Sequence, residues 1–214
     1  MLPGSAHLGQ EKDIPSEKPK LNFIYVVGPP GAGKGTLCTF ASSVYDYCHL
    51  SVGDYLRNLC KNPTAHPVEA FAGQEPEVLA TTMREAQLLS AEQIVSIVRY
   101  RLEKLSAENG QTKFIIDGFP RTLESAQLFE KEVSYSARRS NRTCWLTRFV
   151  QICAPLMWIV VTCDKNVAEH RFIQRSRQVE DSKEKFLARY AQFEKEHALI
   201  AERYGAMFWT VRGT

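Results

Sequence analysis

The sequence predicts an α/β fold in which helices cover both faces of a five-stranded parallel sheet. Segments of helical periodicity alternate with short apolar runs, the candidate strands, at residues 23–27, 47–50, 113–116, 156–162 and 207–211. A glycine-rich loop directly follows the first run, and an aspartate follows the third. This alternation is typical of parallel sheets, in which ligands bind beyond the carboxyl ends of the strands.

The first candidate strand leads into the sequence GPPGAGKGT, residues 28–36. Its glycines let backbone N–H groups approach phosphate oxygens, and the helix that begins there directs its positive N-terminus at the same place. Lys34 can reach the β- and γ-phosphates of a nucleotide, and Thr36 can offer a hydroxyl near Mg²⁺. In the general pattern a serine or threonine follows the lysine directly, whereas Gly35 stands there in this chain. The strand-to-helix context favours a phosphate-binding loop over a plain turn.

The third candidate strand leads into DGFPR, residues 117–121. Asp117, at a strand end beside the phosphate loop, is placed to hold Mg²⁺ directly or through water. Arg121 follows a rigid proline and is therefore expected near the same edge of the sheet. A helix cap for Asp117 and a solvated surface position for Arg121 are the alternative interpretations.

Two segments have a clear helical period, 92–105 and 183–204. The second places Phe186, Tyr190 and Phe193 at positions i, i+4 and i+7, which predicts core packing for these three rings. Helices in these segments would cover the sheet.

Several arginines follow the fourth candidate strand. Arg171 and Arg175 lie four residues apart, on one face of a predicted helix. A guanidinium group binds phosphate oxygens through two parallel hydrogen bonds, so these arginines are candidates for an anion site. For any one of them alone, a solvated surface residue is the alternative.

Composition narrows the class of protein. The 214 residues suit one domain, and a net charge of +3 is too mild to indicate nucleic acid or a membrane as partner. The six cysteines form no C-x-x-C pair, which argues against a disulfide framework or a zinc site and favours a reducing compartment. Residues 1–20 lack a signal-peptide core and are expected to form a disordered tail. We expect a cytoplasmic location, with the nucleus left open.

Four segments, taken together and in this order, resemble the nucleoside monophosphate kinase family, which contains adenylate kinases and UMP/CMP kinases. They are GPPGAGKGT at 28–36, HLSVGDYLR at 49–57, DGFPR at 117–121 and the arginine-rich region 171–189. The glycine after the loop lysine is the family's own form. The resemblance implies a P-loop NTPase fold over residues 21–214, with a monophosphate-binding insert at about 51–90 and a short lid at about 175–182.

The resemblance also implies roles for individual residues. ATP is expected to contact Gly31, Ala32, Gly33, Lys34, Gly35, Thr36, Arg171 and Arg175. The acceptor monophosphate is expected to contact Ser51, Arg57, Arg121 and Gln127. Lys34, Arg121, Arg175 and Arg189 are the expected catalytic residues, and Mg²⁺ is expected near Asp117, through water, and Thr36.

The base of the acceptor is less well defined by the resemblance. The residue after Ser51 is commonly threonine in adenylate kinases and alanine in UMP/CMP kinases, and here it is Val52. The side chain of valine cannot hydrogen-bond to a base edge, so this position disfavours the adenylate kinase pattern. Residues 56–63 also resemble the UMP/CMP branch. Ser125 stands where a glutamine or asparagine usually reads the base, so a shifted Gln127 is the candidate.

Three features depart from the family's pattern, and the insert and the end of the chain are the two larger ones. An insert of about twenty residues is expected at about 134–154, and Arg177 in the lid is one position out of register. The chain also stops after the fifth candidate strand, where the family continues into a last helix that covers the sheet. Without that helix we expect exposed apolar surface and weaker ATP binding.

The function implied by the resemblance is transfer of the γ-phosphoryl group of ATP·Mg²⁺ to UMP, CMP or AMP, giving ADP and a nucleoside diphosphate, by a monomer. The main alternative is a catalytically impaired or truncated nucleotide-binding paralogue. A small-metabolite kinase of the same fold is a third interpretation, against which HLSVGDYLR and DGFPR argue.

Overall fold

The structure is a computed structural model that describes residues 20–85, 87–138, 151–152, 155–175 and 182–213. Three predicted regions lie wholly or mostly outside the described residues: the tail at 1–19, the insert at 139–150 and 153–154, and lid residues 176–181, which include Arg177. The predicted tail extended to residue 20, whereas the first strand begins at Lys20.

The described chain forms one sheet in which every pairing is parallel. Its strands are β1 (Lys20–Val27), β2 (Cys48–Ser51), β3 (Lys113–Asp117), β4 (Gln151–Ile152), β5 (Met157–Thr162) and β6 (Phe208–Arg212). Five of them follow the order β2-β3-β1-β5-β6, which confirms the five predicted strands. The sequence did not predict β4, a two-residue strand within the expected insert that pairs with the start of β1.

Seven α-helices occur in the described residues: α1 (Lys34–Tyr45), α2 (Val52–Lys61), α3 (Pro76–Arg84), α4 (Ala91–Asn109), α5 (Leu123–Arg138), α6 (Lys165–Arg175) and α7 (Lys183–Tyr204). Three short 3-10 turns lie at Pro63–Ala65, Val68–Phe71 and Gly205–Met207. A capping box explains where α4 begins, because Ser90 and Gln93 each bond the other's backbone N–H. None of the helices in this described part of the chain is long and apolar enough to cross a membrane.

Helices cover both faces of the sheet, as predicted. Phe23 and Tyr25 of β1 face the larger core, where the Phe23 ring meets that of Phe129 in α5 edge-on at 5.6 Å. Val26 points to the opposite face of the sheet, where it packs in a smaller core that also contains Cys38 of α1. Burial of each large apolar side chain contributes about 2–3 kcal/mol, so both packed faces stabilise the sheet.

The register of the strands brings their carboxyl ends side by side. Asp117, the last residue of β3, pairs with Val26 in β1 and with Ser51 in β2. The loop after β1 therefore lies beside Asp117, as the strand-end argument predicted.

Candidate active site

A cavity opens at the carboxyl edge of the sheet and is lined by six separate segments of the chain. Basic side chains on its wall are Lys34, Arg57, Arg121, Arg175 and Arg189, and the carboxylate on its wall is that of Asp117. A wall with this charge balance can bind a polyanion, because guanidinium and ammonium groups form charge-assisted hydrogen bonds with phosphate oxygens.

The loop after β1 packs so tightly that two of its residues must be glycine. A Cβ atom on Gly31 would lie 2.0 Å from the carbonyl oxygen of Ala168 in α6, and one on Gly28 would lie 2.4 Å from that of Val161 in β5. The φ angles of Gly31 (79°) and Gly28 (155°) are also positive. The N-cap of α1, Gly33, has no side chain to cap the helix, so the first N–H groups of α1 remain available for an anion.

Lys34 folds back over this loop. Its amine donates hydrogen bonds to the carbonyl oxygens of Gly28 and Pro29 at 2.9 and 2.8 Å. Burial lowers the pKa of Lys34 to about 8; Asp117 opposes this shift, and the nearby arginines lower the pKa further. The amine is therefore charged near neutral pH and uncharged in alkaline solution.

Two arginines from different segments meet around Gly53. A Cβ atom on Gly53 would lie 3.5 Å from the terminal nitrogens of Arg57 and 3.7 Å from Nη2 of Arg121. Arg57 forms an ion pair with Asp54, one turn earlier in α2. Nε of Arg121 donates to the carbonyl oxygen of Gly118 at 3.0 Å. Together the two guanidinium groups can grip one phosphate.

Arg121 keeps contact with solvent at the cavity mouth. Loss of bulk water around its guanidinium group, and then repulsion by Arg189, lower the pKa of Arg121 to about 10. The group is still charged at neutral pH.

Two more arginines flank one aromatic ring. The guanidinium groups of Arg175 and Arg189 lie 5.8 and 5.7 Å from the ring centre of Phe172. Phe172 is fully buried and packs on Phe186 at 5.6 Å, so the ring joins α6 to α7. Cation–π contacts hold both arginines at the cavity wall.

Eight of the predicted site residues line this cavity: Gly31, Lys34, Ser51, Arg57, Asp117, Arg121, Arg175 and Arg189. Six others are placed elsewhere on the described chain: Ala32, Gly33, Gly35, Thr36, Arg171 and Gln127. The first four belong to the loop and the first turn of α1, so they border the site through the backbone. Arg171 directs Nη1 toward Sγ of Cys163, at 3.9 Å.

The predicted base-reading positions on α5 do not line the cavity. Gln127 is exposed, and Ser125 is buried, with its hydroxyl donating to the carbonyl oxygen of Thr122 at 2.9 Å. Val52, which leaned away from the adenylate pattern, is buried with 2% of its surface exposed. The cavity wall therefore receives no side-chain amide from either of these two positions.

Sequence reasoning predicted Arg189 but missed the residues that follow it on the same face of α7. Gln192, Phe193 and His197 line the cavity, and the Phe193 ring lies 5.0 Å from that of His197. Phe193 was expected in the core with Phe186 and Tyr190, but it is only half-buried, at the cavity wall. Helical spacing from Arg189 could have found these residues, because positions three, four and eight residues later share its face.

Comparison with known proteins gives one matching family profile and several similar proteins. The family profile described as adenylate kinase matches residues 26–207. A UMP-CMP kinase of Bos taurus is 35% identical over 119 residues, which cover 55% of this chain and 57% of that protein. The UMP-CMP kinase of Homo sapiens is 35% identical over 115 residues (53% and 55%). UMP-CMP kinase 3 of Arabidopsis thaliana is 38% identical over 113 residues (52% and 49%). The chain spans about half the length of the curated relatives it matches.

Proposed function

The chain belongs to the adenylate kinase family, and on that premise we propose that it is an ATP-dependent nucleoside monophosphate kinase, acting as a monomer. It would transfer the γ-phosphoryl group of ATP to UMP or CMP, giving ADP and a nucleoside diphosphate. The observation that carries the proposal is the convergence of Lys34 and four arginines on one cavity beside a phosphate-binding loop.

The reaction needs positioning and charge neutralisation more than covalent help from the protein. An oxygen of the acceptor phosphate forms a bond to the γ-phosphorus, while the bond from that phosphorus to the bridging β–γ oxygen breaks. In the proposal, Arg57 and Arg121 hold the acceptor phosphate, and Lys34 holds the donor phosphates. Arg175 and Arg189 neutralise the charge that spreads over the transferred group.

The residues beside the loop fit Mg²⁺, which the family implies. Asp117 presents a carboxylate at the cavity wall, and Thr36 carries a hydroxyl in the first turn of α1. Oxygen donors of this kind are those that Mg²⁺ prefers. When bound, the ion would neutralise phosphate charge and orient the phosphates.

UMP or CMP is the proposed acceptor because the relatives cited above are named UMP-CMP kinases, and Val52 is apolar and buried. We assign base recognition to Gln192 and Phe193, which line the cavity, because Gln127 is exposed on α5. The proposal includes a cytoplasmic location, which the unpaired thiols among the described residues support.

A coupled assay of ADP release, with Mg²⁺·ATP and UMP, CMP or AMP as acceptor, tests the function. We expect the highest kcat/KM with UMP or CMP. Highest turnover with AMP would overturn the acceptor assignment, and no turnover with any of the three would overturn the kinase proposal.

A non-catalytic nucleotide-binding protein is the second candidate. It is supported by the positions of Ser125 and Gln127, which leave α5 without an amide at the cavity wall. Thermal denaturation with a bisubstrate analogue of two joined nucleosides separates the two candidates. A raised melting temperature without turnover favours binding alone, whereas a raised melting temperature with turnover favours the kinase.

A further inference from the structure

Three side chains that commonly bind metals meet beneath the cavity. They are Cys38 of α1, His49 of β2 and Asp117 of β3, and their ligand atoms all lie within 4.8 Å of one another. His49 pairs with Ile115, two residues before Asp117, so both side chains face the side of the sheet that α1 covers. The sheet register thus assembles a cluster whose members are distant in the sequence.

The polar atoms of this cluster are not satisfied by one another. Nε2 of His49 lies 3.7 Å from Oδ2 of Asp117, which is longer than a hydrogen bond. The same nitrogen is buried and has no hydrogen-bond partner within the described residues. Buried polar atoms are nearly always paired, so this nitrogen is open to an ion or an ordered water. Two ligands of one tetrahedral zinc ion stand about 3.3–3.7 Å apart, given bond lengths of about 2.0–2.3 Å.

We propose that Sγ of Cys38, Nε2 of His49 and the carboxylate of Asp117 form a binding site for a soft divalent cation of the zinc type. Sulfur, nitrogen and oxygen are the donor atoms of zinc sites, and three protein ligands leave a fourth position for water. Mg²⁺ takes oxygen ligands, so its expected place near Asp117 does not account for the thiol or the imidazole.

Charge is balanced when the cation binds. Cys38 is fully buried, and this burial raises the pKa of its thiol; Asp117 adds to the shift and Lys34 opposes it. Before binding, the thiol therefore holds its proton. As the sulfur–metal bond forms, the S–H proton passes to solvent, and the thiolate and carboxylate then carry two negative charges against the dication.

The cavity provides the route of entry, because Asp117 and Lys34 lie on its wall. A zinc ion bound here would occupy the carboxylate that we assign to Mg²⁺, so we expect it to inhibit phosphoryl transfer. The binding itself does not depend on the proposed kinase function, and it can be measured in a protein without turnover.

The test uses the full chain and one metal at a time. Co²⁺ is the spectroscopic probe, because a cobalt–thiolate bond has a charge-transfer absorption in the near ultraviolet, and Zn²⁺ affinity is measured by competition with a chromophoric chelator. We expect one equivalent of metal, loss of the charge-transfer absorption in Cys38→Ser, and zinc affinity at least about tenfold lower in Cys38→Ser and His49→Gln. Cys60→Ser, at a half-buried thiol on α2, is the matched control and should change neither.

The proposal is overturned if Cys38→Ser keeps both the absorption and the affinity, because other cysteines would then hold the metal. It is also overturned if the unsubstituted chain binds no zinc. Circular dichroism checks that each variant folds. Should Cys38→Ser fail to fold, His49→Gln decides, because unchanged zinc affinity in that variant contradicts the site.

Discussion

Nζ of Lys34 lies 2.9 Å from the carbonyl oxygen of Gly28, the first residue after β1. The amine also donates to the carbonyl oxygen of Pro29. The side chain, which belongs to the first residue of α1, therefore folds back to the start of the loop. The charged amine has three N–H donors, so the third can donate to a phosphate oxygen held by the loop. The lysine is thus preorganised over the loop, within reach of whatever anion the loop holds.

The first prediction concerns this amine. Lys34→Met should lower kcat/KM for ATP by about 10²- to 10³-fold, because it removes a charged donor aimed at the phosphates. The melting temperature should change little, since methionine fills a similar half-buried space. Lys131→Met, at an exposed position of α5, is the control and should keep full activity. Unchanged kinetics in Lys34→Met would contradict the assigned role.

The second prediction concerns pH. With a pKa of about 8 in the unliganded protein, the Lys34 amine loses its charge as pH rises through that value. We therefore expect kcat/KM for ATP to fall above about pH 8, by about tenfold per pH unit at most. Because bound phosphates stabilise the charged amine, kcat should fall only at higher pH. Steady-state kinetics across this range provide the measurement, and a flat kcat/KM to pH 9.5 would count against the shifted pKa.

The third prediction separates steric overlap from backbone strain. Gly31→Ala places a Cβ atom 2.0 Å from the carbonyl oxygen of Ala168 and at a positive φ, so we expect a loss of at least about 2 kcal/mol in the free energy of unfolding. Gly33→Ala also has a positive φ, but no atom lies within 4 Å of its Cβ, so it should cost only about 1–2 kcal/mol. Urea denaturation of both variants measures the difference. Equal losses would show that the contact with α6 relaxes without cost.

The fourth prediction concerns a buried carboxyl group in α4. Burial raises the pKa of Glu103 to about 7; Arg99 opposes the shift and Glu132 adds to it. The folded protein therefore keeps this proton at pH values where the unfolded chain has lost it. The stabilisation is complete below about pH 4.5 and is lost as pH rises through about 7, by on the order of 3 kcal/mol.

Glu103→Gln should remove this part of the pH dependence, because its amide does not titrate. Glu108→Gln, on the same helix at an exposed ion pair with Lys104, should retain it. The measurement is the denaturant midpoint of each protein between pH 4.5 and 7.5. Parallel curves for the unsubstituted protein and Glu103→Gln would contradict the prediction.

The fifth prediction separates the two substrates. Arg57→Ala should raise KM for the acceptor monophosphate by about 10- to 100-fold, because it removes a charged hydrogen bond to phosphate, and should leave KM for ATP within about twofold. Arg84→Ala, at the exposed end of α3, is the control. If the KM values for ATP and for the acceptor rise equally, Arg57 stabilises the fold and does not bind the acceptor specifically.

Much of the fold could be predicted because it depends on residues close together in the sequence. The period of the apolar residues located α7 with its observed bounds, and glycine chemistry located the loop after β1. The two-residue strand β4 escaped prediction because it is too short to have a period. Phe193 was misplaced because helical spacing shows which residues share a face, but not whether that face meets the core or a cavity.

The sequence by itself determined the glycine-rich loop, the strand ends and the order of the arginines, because each is a local pattern. Only the tertiary structure decided which distant side chains meet. Cysteine spacing argued against a zinc site, since spacing reports ligands that are neighbours in the chain. The pairing of β2 with β3, and the packing of α1 on that face, bring Cys38, His49 and Asp117 within reach of one ion. Side chains on separate elements meet because of strand register and helix packing. Neither can be inferred from one segment of the sequence alone.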